Sequence, residues 1–190
     1  IPIITDELEL LAEKRTYIEQ STNAKVLIAS FDSIRIANDK GLLYDALSHS
    51  IDPIIRDVVP PFRIAKTKAD LFYAIQELKA SGRGVCMKRC RGEDASGFYR
   101  IVDFIPAADF FDEKDRRSLT TDDLENKLRS IGEDEAIPEY LVSEYLPGAE
   151  WDCDVLCRDG ELLCVTTRLN LQMFGGLTSV LRVESNPTFE

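Results

Sequence analysis

The chain has 190 residues, of which 44% are hydrophobic: enough to bury a core, and too many for a disordered segment. Formal net charge is −11, which argues against nucleic acid or an anionic membrane surface as a partner, because both select a basic footprint. No apolar run suits a membrane-spanning helix, and Ile1-Pro2-Ile3-Ile4 is too short, and lacks the basic flank, for a secretion signal, so a cytoplasmic setting is expected. Those four residues read instead as the end of a buried strand, so the chain is expected to begin inside a larger protein.

Thr5 to Gln20 reads as a helix, capped by Thr5, with Leu8, Leu11, Arg15 and Ile18 on one face. Lys25 to Ser30 is expected as a short apolar strand, and Asn38 to Ser48 as a second helix carrying Leu42, Leu43, Ala46 and Leu47. Strand and helix alternate here, an α/β rhythm. Asp52 to Phe62 contains Pro53, Pro60 and Pro61 and is expected to be a connection with at most an extended piece. It is the candidate boundary between two lobes.

Thr67 caps a helix over Lys68 to Ser81, with Leu71, Phe72, Ile75 and Leu78 on one side, and Gly82 ends it. Gly84 to Cys90 is a strand. Val85, Met87 and Arg89 face one way; Cys86, Lys88 and Cys90 face the other. A lysine in the middle of such a strand is costly to bury without an anionic partner. Arg91 to Gly97 is a small-residue loop, and Phe98 to Val102 returns. Such a loop can wrap phosphate oxygens with backbone N–H groups, or serve as an ordinary hairpin loop with Gly97 at positive φ. It is not a Walker A motif.

Ala107 to Arg117 is polar. Thr120 or Thr121 caps a helix over Asp122 to Ser130, which Gly132 ends. Tyr140 to Tyr145 reads as a buried strand, broken by Leu146-Pro147-Gly148. Glu150, Asp152 and Asp154 then alternate with Trp151, Cys153 and Val155, which puts three carboxylates on one strand face. That face is either a solvated acidic surface or a binding surface. Arg158-Asp159-Gly160 is a hairpin turn, and Glu161 to Thr167 returns from it. Gly175-Gly176 reads as a flexible loop, Leu177 to Val183 as a strand, and Asn186-Pro187-Thr188 as a helix start. The five cysteines are expected to be reduced core thiols rather than metal ligands, and His49 a surface or satisfied side chain.

Four stretches, in order, resemble the ATP-grasp superfamily, nearest to carbamoyl-phosphate-synthase-like carboxylate–amine ligases. Ile1 to Glu7 resembles the strand-to-helix element closing a Rossmann-like domain that precedes the grasp. Asn38-Asp39-Lys40 resembles the Asp-Lys entry motif. Val85 to Gly97 resembles the strand lysine and its glycine-containing loop, and Leu141 to Asp154 the hinge and ribose-binding segment.

The resemblance implies an α/β to α+β fold. Residues 1–50 would end the Rossmann-like domain and carry the entry helix, 51–140 would form the first ATP-grasp lobe, and 141–190 a truncated second lobe. It implies ATP and magnesium as cofactors, small-molecule carboxylate and amine substrates, and leaves oligomer formation open. Lys40 and Lys88 would contact the phosphates, with Arg91, Gly92, Ser96 and Gly97 in the loop folding over them. Glu144, Tyr145 and Leu146 would line the adenine edge, Glu150 would hold the ribose hydroxyls, and Arg168 would reach the γ-phosphate or an acyl phosphate. Arg89 stands where the family carries proline, and no acidic metal-ligand stretch follows Val183, so no metal ligand is assigned. The competing readings are a nucleotide-binding module without turnover and an interaction domain that binds no nucleotide.

Overall fold

The structure is a computed structural model that describes residues 5–92, 95, 97–106, 117–132, 135–174 and 177–186. Its first part is helical: α1 (Thr5–Ser21), α2 (Phe31–Ala37), α3 (Lys40–Ser48) and α4 (Pro53–Asp57). The strand expected at Lys25 to Ser30 is not formed. A strand needs a neighbour to complete its hydrogen bonds, and no described strand lies beside this segment. Instead Val26 N donates to the Glu19 carboxylate at 3.0 Å, tying the segment to α1. The connection at Asp52 to Phe62, expected to hold at most an extended piece, contains α4. Asp52 caps it, accepting from Ile54 N at 2.9 Å, and Pro53 takes a first-turn position where its missing N–H costs nothing. The strand expected at Ile1 to Ile4 lies outside the described residues, as do Gly175-Gly176 and, from Pro187 on, the helix expected from Asn186-Pro187-Thr188.

Strands β1 (Phe62–Ala65), β2 (Val85–Arg89), β3 (Tyr99–Val102), β4 (Ser118–Thr120) and β5 (Tyr140–Glu144) form one sheet in the order β1-β5-β2-β3-β4, parallel only at β3–β4. Helices α5 (Lys68–Ala80) and α6 (Thr121–Ser130) cover one face. There Leu71, Ile75 and Val142 are fully buried, and Val85, Met87, Ile101, Leu124 and Leu128 join them. Removing a side chain such as Ile75 from this layer would cost about 2–5 kcal/mol. Lys68 Nζ ties the start of α5 to the end of α6, donating to the Ile131 and Gly132 carbonyls at 3.0 and 2.5 Å.

β1 and β4 are too short to show a period and were not expected from the sequence. β5 pairs with both β1 and β2, so the strand expected to open the second lobe is a central strand of this sheet.

A separate antiparallel sheet follows: β6 (Trp151–Arg158), β7 (Glu161–Phe174) and β8 (Leu177–Val183), in that order. The turn between β6 and β7 has Asp159 at φ 53° and Gly160 at φ 85°, the left-handed pair that a tight hairpin needs. β7 runs on past Thr167 to Phe174, because β8 supplies it with a second partner. Much of this sheet is open, with Val155, Leu156 and Leu162 each 55% exposed. Hence only Cys86 and Cys90 are the buried thiols expected; Cys153, Cys157 and Cys164 are exposed. No helix among the described residues is long and apolar enough to cross a membrane.

Both α5 and α6 open with capping boxes, Thr67 with Asp70 and Thr120 with Asp123. Hydrogen bonds from Thr67 and Lys66 hold the Asp70 carboxyl below its usual range, and those from Thr120 do so for Asp123. A folded-state pKa below the unfolded value stabilises fully above the unfolded pKa, about 4, and is lost as pH falls through the folded one. Asp70→Asn should therefore lower the urea midpoint at neutral pH and flatten its fall between about pH 5 and 3. An unchanged slope would show that the cap carries no charge-dependent stability.

Candidate functional site

β2 joins the core to the site. Its alternation sends Val85 and Met87 into the layer under α5, and Cys86 and Lys88 to the opposite face. Register places Cys86 opposite Ser143 and Lys88 opposite Leu141 on β5, so this face is fixed by the same ladder that builds the core. A cleft of about 530 Å³ lies there, at the junction of the first sheet, the start of α3 and the segment leading to the second sheet. Its walls include Lys40 and Tyr44 from α3, Cys86 and Lys88 from β2, Gly92 and Ala95 from the following loop, and Glu144 to Leu146 and Glu150 from the link between the sheets.

Seven of the residues expected from the sequence therefore meet in one place: Lys40, Lys88, Gly92, Glu144, Tyr145, Leu146 and Glu150. Arg91 and Gly97 have supporting positions instead. Arg91 donates to Asp39 Oδ2 at 3.2 Å and to Glu9 Oε1 at 2.9 Å, bridging α1, the start of α3 and the loop. Gly97, at φ 72°, lies against the Arg89 stem: a Cβ there would sit 2.5 Å from Arg89 Cγ. Ser96 lies outside the described residues. Arg168 is not among the lining residues. It sits on β7 and donates to Asp154 Oδ1 at 2.9 Å, with Asp152 at 4.0 Å. Among the described residues its Nε is buried without a hydrogen-bond partner.

Asp39 organises the cation end. Its Oδ1 accepts from Gly41 N and Leu42 N at 2.9 and 3.1 Å, capping α3, while Oδ2 takes Arg91. Lys40 is thereby held with its N–H on the Cys90 carbonyl at 2.8 Å and its Nζ on the Gly92 carbonyl at 2.7 Å. α3 can approach this closely because Gly41 has no side chain: a Cβ would stand 3.1 Å from Cys90 Sγ and 3.3 Å from Ile64 Cδ1. Burial, with the nearby Asp39 and Glu139 charges, pushes the Cys90 thiol up to about 11, so it is an inert packing group. Lys88 has neither an ion-pair nor a hydrogen-bond partner among the described residues, and the Glu150 carboxylate is likewise uncommitted there.

The link between the sheets is held rigidly at its start. Glu144 N donates to the Pro61 carbonyl at 3.0 Å, and Tyr145 N to the Gly84 carbonyl at 2.8 Å. The Glu144 carboxylate pairs with Arg83 at 2.7 Å. With the carboxylate and both N–H groups engaged, the Tyr145 carbonyl and the Leu146 backbone are the groups of this link that can address a ligand.

Sequence reasoning missed Tyr44, Cys86, Phe98 and Arg117, which also line the cleft. Tyr44 follows Lys40 by four residues on one helix face, and Cys86 precedes Lys88 by two on one strand face, so both were recoverable from periodicity. Phe98 and Arg117, whose guanidinium lies 6.0 Å from the Phe98 ring centre, come from loop positions that carry no periodic signal. His49 ends α3 with its side chain 77% exposed, a surface residue as expected. Among the described residues no group of three His, Cys, Asp or Glu side chains converges to hold a metal ion.

Comparison with protein-family models gives no match, and comparison with curated proteins gives no significant match.

Asp39→Ala should lose both the α3 cap and the Arg91 contact and cost about 1–3 kcal/mol in urea denaturation, whereas Asp39→Asn, which keeps a capping oxygen, should cost less. Equal losses would place the whole effect on the charge toward Arg91.

Proposed function

We propose that the cleft binds ATP and that the chain is the nucleotide-binding part of an ATP-grasp carboxylate–amine ligase. The observation that carries this reading is Lys88. A strand-centre ammonium faces the cleft with no partner among the described residues, in a chain whose net charge is −11. An ammonium so placed is stabilised by an anionic ligand. Lys40 and Arg117 add positive charge at the same cleft, and Glu150 adds a carboxylate able to accept two ribose hydroxyls. The Glu144–Leu146 backbone would take the adenine edge. On this reading the five-stranded sheet belongs to the first lobe and the three-stranded sheet to the second.

Phosphoryl transfer asks the protein mainly for positioning and charge neutralisation. The γ-phosphoryl of ATP would pass to a substrate carboxylate, leaving ADP and an acyl phosphate. An amine would then attack the acyl carbon and expel phosphate. Lys40, Lys88 and Arg117 would hold the transferring charge. Magnesium, when bound with the nucleotide, would supply further neutralisation of the phosphate charge. Arg168 would have to exchange Asp154 for the acyl phosphate, moving from its place outside the cleft lining.

A nucleotide-binding module without turnover is the second reading. It is favoured by Arg168 being engaged by Asp154 outside the cleft lining.

Calorimetric titration with a non-hydrolysable ATP analogue, with and without magnesium, tests the site. Lys88→Ala should weaken binding by roughly 2–3 kcal/mol, and Glu150→Ala should also weaken it. Unchanged affinity in both variants would remove ATP from this cleft.

A further inference from the structure

Resting on the ATP reading, a second layer of residues bears on the base-reading link. Arg83 Nη1 donates to Glu144 Oε2 at 2.7 Å. The Arg100 guanidinium lies 4.7 Å from the centre of the Tyr145 ring. Gly84, between β2 and Arg83, accepts from Tyr145 N at 2.8 Å, and a Cβ on Gly84 would touch Tyr145 Cβ at 3.4 Å. None of these three residues lines the cleft; all three line a separate hollow of about 450 Å³. The link is thus gripped by residues outside the cleft lining, Arg100 reaching Tyr145 from the register position opposite Cys86.

We propose that Arg100, with Arg83, is a positioning residue that fixes the Glu144–Leu146 backbone for recognition of the adenine base. The physical case rests on where each contact falls. Tyr145 lines the cleft with its ring held by the Arg100 cation and its N–H by the Gly84 carbonyl, which leaves its backbone carbonyl for a ligand. Glu144 also lines the cleft, yet its carboxylate is occupied by Arg83, which keeps a negative charge from turning toward the phosphates. With the Glu144 and Tyr145 N–H groups already bonded to the Pro61 and Gly84 carbonyls, the Tyr145 carbonyl and the Leu146 backbone form the reading edge, and both arrangements remove freedom that a flexible link would lose on binding. Cys86 donates to the Glu144 carbonyl at 3.8 Å, so this carbonyl is held from the strand as well.

The test separates the two ends of the ligand by using adenosine and inorganic tripolyphosphate as probes beside ATP. In Arg100→Ala, adenosine affinity should fall about five- to tenfold while tripolyphosphate affinity stays unchanged. Arg100→Lys, which keeps a cation over the ring, should retain most of the adenosine affinity. Arg83→Ala should show the same one-sided loss, and Lys88→Ala the opposite one. Thermal melts of each variant accompany the titrations. An equal loss for adenosine and tripolyphosphate in Arg100→Ala would assign Arg100 to general folding and overturn the proposal. Unchanged adenosine binding in Arg100→Ala, with ATP still dependent on Lys88, would overturn it while leaving the ATP reading intact. Wild-type protein that binds none of the three would overturn both.

Discussion

The pairing of β2 with β5 is the constraint on which the rest depends. Five consecutive residue pairs, from Val85 with Glu144 to Arg89 with Tyr140, set which side chains enter the core and which face the cleft. Because the strand period is two, the ladder that buries Val85, Met87 and Val142 also commits Cys86 and Lys88 to the other side. A one-residue slip would put Lys88 under α5 and Met87 in the cleft. The apolar layer therefore stabilises the fold and aims the lysine at once. β5 then runs directly into Tyr145 and Leu146, so the same pairing fixes where the link to the second sheet begins.

Around this ladder the cation end is assembled from segments far apart in sequence. Asp39 caps α3 with one oxygen and holds Arg91 with the other, and Arg91 reaches Glu9 on α1. The loop after β2 is tied down again by Lys40 through the Gly92 carbonyl. The Arg91 contacts are partly exposed ion pairs, each worth little alone in water, and the others are hydrogen bonds to backbone. Their effect is geometric: together they give one loop and one helix start a shared position. The candidates for phosphate contact divide accordingly, with Lys88 uncommitted among the described residues, Lys40 committed to a carbonyl it can share, and Arg91 committed to carboxylates.

The parts of this arrangement visible in the sequence are those written in local periodicity and capping. The alternation of β2, the apolar face of α5, the Thr67 and Thr120 caps, and the Asp159-Gly160 turn all follow from nearest-neighbour physics, and the structure has each of them. The Lys25–Ser30 segment misled because apolar composition alone cannot supply a pairing partner. Strands β1 and β4 are too short to announce a period and exist because β5 and β3 offer them edges. The exposure of Cys153, Cys157 and Cys164 depends on which layers pack on the second sheet, which no single strand encodes. The convergence of seven expected residues on one cleft was legible only as an ordered resemblance of motifs. Arg117 and Phe98 reach the cleft through tertiary placement and left no mark in the sequence.

Hydrogen exchange of the amides, with and without saturating ATP, tests the nucleotide cleft most directly. The account predicts that ATP slows exchange at Gly92 and across Tyr145 to Glu150, and leaves the β6–β7 turn at Asp159-Gly160 unchanged. Slowed exchange confined to the hollow lined by Phe72, Glu125 and Leu128, or no change anywhere at a saturating concentration, would contradict it.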